Sequence, residues 1–177
     1  MSKEIERKWL WNYNAYPDFY GCLENEPHYT IKDYYFNDYC RLRTIDGIWW
    51  LTIKSKGDII REEYEFLLDK NDIDFIPTPM LVKERFEVDR KPYTYEINVF
   101  RDLNLDYCLP LITVELELPS PHIVLDNIPD FCGQEITYNT EAYGYNLFKI
   151  VQEQTRNRLK KKSKNNIIYL KDFLDKN

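Results

Sequence analysis

The stretch Glu4-Ile5-Glu6-Arg7-Lys8-Trp9, close to the start of the chain, carries the pattern from which the fold can be worked out. Side chains of a β-strand alternate between two faces, so a strand here places Glu4, Glu6 and Lys8 together on one face. Two carboxylates hold divalent cations, and a neighbouring ammonium group suits a phosphate oxygen. Taken alone, a solvated edge strand is the simpler interpretation of this stretch. Only recurrence of the pattern favours a binding site.

The alternation does recur along the chain. Charged residues, with Thr52 and Asn98 as the two uncharged exceptions, stand at every second position of six later segments, and the positions between them are mostly aromatic or aliphatic. The segments are Arg41-Leu42-Arg43, Leu51-Thr52-Ile53-Lys54, Arg61-Glu62-Glu63-Tyr64-Glu65, Lys83-Glu84-Arg85, Tyr95-Glu96-Ile97-Asn98 and Val114-Glu115-Leu116-Glu117-Leu118. An ordinary half-exposed sheet also alternates, but its polar face is usually diluted by Thr, Ser and Gln. These polar faces are mostly Arg, Lys and Glu, which is unusual.

A closed antiparallel barrel with a charged interior reconciles the two faces, because the apolar face must be buried against something. A dry, unpaired charged interior would be unstable. It becomes tolerable when acids and bases interleave, water enters, and a charged ligand with metal ions completes the pairing. The available acids are Glu4, Glu6, Glu63, Glu65, Glu115 and Glu117, with Glu96 in addition. The available bases are Lys8, Arg41, Arg43, Lys54, Lys83 and Arg85, with Arg61 in addition. Such bases clamp a linear anion with several phosphates, while the carboxylates bind Mg²⁺ or Mn²⁺.

Size and composition exclude several classes of function. A chain of 177 residues fits one domain, residues 1–177, and only five glycines with no GxGxxG or P-loop sequence leave phosphate binding to side chains. The net charge of −6 disfavours broad binding to nucleic acid, and no apolar run reaches the length of a membrane span. Four scattered cysteines and a charged N-terminus without an apolar core predict free thiols in a cytoplasmic protein.

Turn residues divide the chain into predicted elements. Strands are predicted over residues 1–11, 29–36, 39–44, 49–54, 59–68, 81–89, 94–100 and 111–118, which suggests a barrel or a sandwich. Asp46-Gly47 predicts a hairpin turn, residues 69–75 a short helix, and residues 140–162 a longer one. Residues 156–177 are predicted to form a basic and amphipathic helical C-terminal extension, in which 166–174 is predicted as a last short helix. A solvated helix face is its simplest interpretation, and a lid, a dimer contact or an anion-steering patch are the alternatives.

The ordered set of segments resembles the CYTH superfamily, also called triphosphate tunnel metalloenzymes, whose signature ExExK matches Glu4 to Lys8. Gly133-Gln134-Glu135-Ile136-Thr137 resembles the Gly-x-Glu-Val-Thr segment before the terminal helix of that family. The resemblance covers roughly residues 1–150. It implies a mainly β (α+β) fold: a closed eight-stranded antiparallel β-barrel with flanking helices and a C-terminal helix.

The resemblance also implies roles for the charged residues. Phosphates would be held by Lys8, Arg41, Arg43, Lys54, Lys83 and Arg85, and the metal by Glu4, Glu6, Glu115 and Glu117. Lys8, Glu63 and Glu65 would be the catalytic residues, the two glutamates acting as ligands or as groups that position water. Family members often have Glu-x-Asp where this chain has Glu96-Ile97-Asn98, so one potential carboxylate is an amide here.

The implied activity is Mg²⁺- or Mn²⁺-dependent hydrolysis of the terminal phosphoanhydride of a triphosphate. The short chain resembles bacterial triphosphatases that prefer inorganic tripolyphosphate; nucleoside and thiamine triphosphates are the other expected substrates. Within the family, the alternatives are a class IV adenylate cyclase and a thiamine- or RNA-triphosphatase. The alternative to an enzyme is a non-catalytic polyphosphate-binding module. A homodimer is one possible assembly.

Overall fold

A computed structural model of the chain describes residues 2–57, 60–74, 77–104 and 109–174. Nine strands make up most of it: β1 (Ser2–Trp11), β2 (His28–Asn37), β3 (Cys40–Ile45), β4 (Ile48–Lys54), β5 (Ile60–Leu68), β6 (Leu81–Arg90), β7 (Tyr93–Asn104), β8 (Pro110–Glu117) and β9 (Cys132–Glu135). The helices are α1 (Phe19–Leu23) and α2 (Gly144–Leu174), and short 3-10 turns occur at Lys70–Asp72 and Thr140–Ala142.

Eight of these strands close into an antiparallel barrel. Their order is β5-β4-β3-β2-β6-β7-β8-β1, and β1 closes the ring by pairing with β5 as well as with β8. The short strand β9 adds to the far end of β1, where Trp9 faces Glu135 and Trp11 faces Cys132. The predicted eight-stranded antiparallel barrel is therefore confirmed, with one extra strand. None of the described helices is long and apolar enough to cross a membrane.

The predicted hairpin between β3 and β4 is confirmed in its backbone detail. Asp46 and Gly47 both have positive φ, at 50° and 82°. Two consecutive residues in the left-handed region make the turn whose twist matches that of the flanking strands. This short connection keeps the paired charged positions of β3 and β4 on the same face of the barrel.

Several elements differ from the prediction. The helix predicted over 69–75 is only the 3-10 turn Lys70–Asp72, capped by the side chain of Asp69; Phe75 lies outside the described residues. The two predicted C-terminal helices are one continuous helix, α2, with no break before residue 166. The five-residue helix α1 and the four-residue strand β9 were not predicted, because elements this short have no detectable periodicity.

The buried apolar residues form two clusters. On the outside of β6, β7, β8 and β1, a core that includes Trp9, Ile97 and Val114 is covered by α1 and by residues 119–136, which contribute Phe19 and Phe131. The first turns of α2 form the second cluster against β6 and β7, with buried residues Leu81, Phe100, Leu103, Leu147, Phe148 and Val151. Leu81, Phe100 and Leu147 also line the interior of the barrel, so the second cluster lies on the inner face of the strands, whereas the first lies on the outside.

Candidate active site

The barrel encloses a cavity of about 280 Å³ that opens to solvent. Its size is near the lower end of the range for small-molecule sites. Every residue predicted for a site role contributes to its lining: Glu4, Glu6, Lys8, Arg41, Arg43, Lys54, Glu63, Glu65, Lys83, Arg85, Glu115 and Glu117. Arg61 and Glu96 also line it. The alternation along the strands therefore brings the whole set together, whereas the roles of the individual residues stay predictions.

The register of the strands explains how distant charges become neighbours. On the β1–β8 pair, Glu6 lies opposite Glu117 and Lys8 lies opposite Glu115. Because both residues of a directly opposed pair project from the same face of a sheet, these side chains share the cavity. The four carboxylates predicted for metal binding thus stand on two neighbouring strands.

One group of ion pairs spans β1, β4 and β5. The Lys54 ammonium donates to the Glu4 carboxylate at 2.6 Å and lies 3.3 Å from Glu63. The guanidinium of Arg61 lies 3.4 Å from Glu4 and 3.5 Å from Glu6. Burial alone would raise the pKa of Glu4, but the cations Lys54 and Arg61 outweigh it and hold that pKa below its usual value. Glu4 is therefore ionised in the folded protein.

A second group centres on Glu115, which is buried. Its two carboxylate oxygens accept hydrogen bonds from Lys8 at 2.8 Å and from Arg85 at 3.0 Å, and Arg85 also pairs with Glu96. Burial opposes the charge of Lys8, but Glu115 and Glu6 outweigh burial and raise the pKa of Lys8 above its ordinary range. Lys8 thus keeps its positive charge at every pH at which the protein would work.

Lys83 differs from the other cations because it forms no ion pair within the part of the chain that the structure describes. Its side chain is buried, and the ammonium group lies 5.9 Å from the ring centroid of Phe100. Burial, together with the neighbouring positive charge of Arg85, lowers the pKa of Lys83 to about 7. A buried ammonium group without a carboxylate partner is suited to an incoming anion.

Asp33 and Tyr35 are among the cavity residues that the sequence analysis did not predict. Asp33 is almost fully buried and accepts two hydrogen bonds from Arg43, at 2.7 and 3.0 Å. Burial disfavours the charged carboxylate, yet Arg43 and Arg41 hold the pKa of Asp33 far below its usual range. Tyr35 follows two positions later on the same face, and burial raises the pKa of its hydroxyl. The alternation of Asp33 and Tyr35 was the available signal, but the run of tyrosines around them obscured it.

The amide of Asn98, an uncharged residue on the cavity-facing side of β7, has a definite contact. Asn98 is fully buried, and its side-chain oxygen accepts a hydrogen bond from Nε of Arg85 at 2.9 Å. The guanidinium group is therefore oriented from three sides, by Asn98, Glu96 and Glu115. Among the described residues, the amide nitrogen of Asn98 and the hydroxyl of Thr113 on the neighbouring strand remain buried without a hydrogen-bond partner.

The carboxylates on β1 and β8 fit a hard divalent cation by their chemistry. Glu117 forms no ion pair with any residue that the structure describes. Its pKa is raised by partial burial and by the negative charges of Glu4, Glu96 and Glu63. A cation would relieve this repulsion, and carboxylate oxygens are the ligands that Mg²⁺ and Mn²⁺ prefer. In the described residues, no three acidic, His or Cys side chains already surround one point as metal ligands.

Comparison with solved structures identifies proteins of the same architecture. The inorganic triphosphatase NE1496 matches with a TM-score of 0.53 and 22% sequence identity, over 84% of this chain and 95% of that chain. A second structure of NE1496, described as a hypothetical protein, matches with a TM-score of 0.52 and 23% identity, over 82% of this chain and 97% of that chain. No protein-family model matches the sequence, and a search of curated proteins gave no significant match. The chain therefore has the barrel fold of NE1496, as the resemblance to the triphosphate tunnel family implied.

Proposed function

We propose that the chain is a divalent-metal-dependent triphosphatase, which hydrolyses the terminal phosphoanhydride of tripolyphosphate or of another triphosphate. One observation carries the proposal: a single enclosed cavity holds cations from five strands together with a wall of carboxylates on β1 and β8. The triphosphatase activity of NE1496, which shares the fold, supports it. A linear anion with several charges is the kind of ligand that such a cavity neutralises best.

The cations of the cavity fall into two groups by whether their donors are already shared with carboxylates. Lys83 is available to phosphate oxygens because it has no carboxylate partner in the described structure. Arg43 is available too, since one of its guanidinium nitrogens lies outside its pair with Asp33. Arg41, Lys54 and Arg85 share their donors with carboxylates, so they bind phosphate while remaining oriented. Because these groups are already in position, little reorganisation accompanies charge development on the transferred phosphoryl group.

Hydrolysis requires a water oxygen to attack the terminal phosphorus as the bond to the bridging oxygen breaks. Orthophosphate and a shortened polyphosphate leave, and the proton of the attacking water passes to a base. Glu63 and Glu65 are the proposed groups for positioning this water and accepting its proton. Thr52 donates a hydrogen bond to Glu65 at 3.2 Å, which fixes that carboxylate at the cavity wall. Lys8, held protonated by Glu115 and Glu6, neutralises charge on the reacting phosphates.

Glu4, Glu6, Glu115 and Glu117 are the proposed ligands of Mg²⁺ or Mn²⁺. A cation held by these carboxylates would supply Lewis-acid chemistry: it would offset the charge of the phosphates and make the attacking water easier to deprotonate. The described cysteines Cys22, Cys40 and Cys132 are free thiols, which supports a reducing compartment such as the cytoplasm as the place where the protein works.

Phosphate release tests the proposal directly. We expect orthophosphate from tripolyphosphate, ATP or thiamine triphosphate in the presence of Mg²⁺ or Mn²⁺, and no release after chelation with EDTA. Pyrophosphate with cyclic AMP from ATP would assign the chain to the cyclases instead. A third outcome is that tripolyphosphate stabilises the protein against heat even in EDTA, while none of the three substrates is turned over. That result would show that the protein is a binding module and not an enzyme.

Binding of tripolyphosphate is expected to be coupled to proton uptake by Lys83. The lysine has a pKa of about 7 in the free protein, and a bound anion favours its charged form, so the pKa rises in the complex. Affinity should therefore be greatest below pH 7 and fall as the pH rises above 7, while binding takes up close to one proton. Calorimetric titrations at pH 8 in buffers of different ionisation enthalpy measure this uptake. A Lys83→Met variant should lose it, and an unchanged uptake in that variant would assign the proton to another group.

A further inference from the structure

Arg61 lies inside the cavity beside two carboxylates that are proposed metal ligands. Its nitrogen Nη2 is 3.4 Å from Oε2 of Glu4 and 3.5 Å from Oε2 of Glu6. The two glutamates project from the same face of β1, and Arg61 lies directly opposite Glu4 on the paired strand β5. One guanidinium nitrogen therefore bridges two oxygens that a cation shared by Glu4 and Glu6 would use.

The contacts of Arg61 with these glutamates are long. Lys54, by comparison, donates to both oxygens of Glu4, at 2.8 and 2.6 Å. Charge-assisted hydrogen bonds between nitrogen and a carboxylate usually measure about 2.7–2.9 Å, so the two Arg61 contacts are weak ones. Glu6 has no closer cation in the described structure, since Lys8 lies 3.4 Å from its other oxygen. Arg61 is thus the cation that leaves this pair of carboxylates most easily.

Arg61 also has features that suit it to an anion in the cavity. Its guanidinium carbon lies 5.9 Å from the ring centroid of Tyr143, a contact that does not depend on the two glutamates. Its Nε is buried and has no hydrogen-bond partner among the described residues. A buried donor without a partner costs free energy until an acceptor reaches it. Because Arg61 lines the cavity, a phosphate oxygen bound there can be that acceptor.

We propose that Arg61 is a counter-ion that exchanges with the metal. In the metal-free protein it neutralises Glu4 and Glu6. When a divalent cation binds these carboxylates, Arg61 leaves them and donates to a phosphate oxygen instead. This role rests on the proposed triphosphatase function, which requires both the metal and the phosphate. Arg61 therefore opposes metal binding in the absence of a triphosphate and favours triphosphate binding once the metal is bound, which couples the two ligands.

Binding of Mn²⁺ without any phosphate, measured by electron paramagnetic resonance at pH 6, tests the exchange. Arg61→Gln should lower the dissociation constant about tenfold, because no guanidinium then has to leave Glu4 and Glu6. Lys83→Met is the matched control: with its pKa of about 7, Lys83 is a charged cavity residue at pH 6, yet it forms no ion pair with either glutamate in the described structure. Its loss should change the constant less than about threefold. A wild-type protein that binds no Mn²⁺, or equal constants in the wild type and Arg61→Gln, would overturn the proposal, and so would equal gains in the two variants.

Thermal melting separates this role from a purely structural one. A tenfold change in metal affinity corresponds to about 3–5 °C in a chain of this size, so metal-free Arg61→Gln should melt below the wild type by about that much. Saturating Mn²⁺ should abolish the difference, because the metal then neutralises Glu4 and Glu6 in both proteins. Arg101→Gln, which removes an exposed guanidinium group paired with Glu84, should show the same difference from the wild type with and without Mn²⁺. A lower melting temperature of Arg61→Gln that persists in Mn²⁺ would mean that Arg61 is structural.

Binding of a non-hydrolysable imidotriphosphate tests the second half of the exchange. Arg61→Gln should weaken this binding about tenfold in Mn²⁺ but less than about twofold in EDTA, since Arg61 donates to phosphate only after it leaves the glutamates. Equal losses under the two conditions would contradict the exchange. Phosphate release from tripolyphosphate by the wild type is a separate measurement that decides the proposed function, so either hypothesis can fail without the other.

Discussion

Replacing Glu117 by Gln is expected to lower metal-dependent phosphate release by about a hundredfold or more, while the metal-free protein becomes more stable. The loss follows from the proposed role of Glu117 as a metal ligand, since an amide is a much weaker ligand than a carboxylate. The gain follows from the geometry: Glu117 makes no ion pair in the described structure and is repelled by Glu4, Glu96 and Glu63. Opposite changes in activity and stability distinguish this role from a structural one.

The stability difference should depend on pH with a defined sign. The pKa of Glu117 is raised in the folded state above its ordinary value of 4.5. The folded state therefore binds the proton more tightly, and stability falls as the pH rises through the folded pKa. The Glu117→Gln variant lacks this group. It should match the wild type below about pH 4 and exceed it at pH 8.

Urea unfolding at the two pH values, with phosphate release from tripolyphosphate measured on the same samples, tests both halves of this expectation. Glu153→Gln is the matched control, because Glu153 is exposed on α2 away from the cavity and should change neither quantity. If Glu117→Gln kept its activity, the proposed role of Glu117 as a metal ligand would be wrong. A variant less stable than the wild type at pH 8 would contradict the repulsion described above.

The barrel and most of its charged lining could be predicted from the sequence, because both depend on a local rule. Alternation in a strand is set by adjacent residues, so Glu4, Glu6 and Lys8 could be assigned to one face without knowing any partner strand. Charged residues at alternate positions on seven segments then left few arrangements other than a closed barrel. The Asp46-Gly47 turn was predictable for the same reason, since its two backbone conformations are local properties.

Features that depend on which strands become neighbours could not be predicted. Asp33 pairs with Arg43 only because β2 and β3 align these two residues directly opposite each other. The same holds for Asn98, whose hydrogen bond to Arg85 follows from the β6–β7 register. The start of α2 depends on a tertiary contact too, because a side chain at Gly144 would collide with the hydroxyl of Tyr35. A single sequence carries no signal for such distant pairs.

Replacing Asp33 by Ala is expected to lower the free energy of unfolding by about 3–5 kcal/mol, the usual cost of leaving a buried charge without its partner. Asp33 is almost completely buried, and its loss would leave the buried guanidinium group of Arg43 without its carboxylate partner. The same change should tighten binding of tripolyphosphate, because it removes a negative charge from the cavity and frees two donors of Arg43 for phosphate. Turnover should fall, since Arg43 is no longer held in place.

Stability and ligand response together separate this expectation from simple damage to the fold. In urea titrations without tripolyphosphate, Asp33→Ala should be clearly less stable than Asp38→Ala. Asp38 also lines the cavity but is exposed, so its replacement should cost less than about 0.5 kcal/mol. Saturating tripolyphosphate should then reduce the difference in free energy of unfolding between the two variants. The reason is that an anion stabilises more strongly the folded variant that it binds more tightly. Two outcomes would contradict the view that Asp33 occupies the place of a phosphate beside Arg43. One is equal stability of the two variants, and the other is a stability difference that tripolyphosphate leaves unchanged.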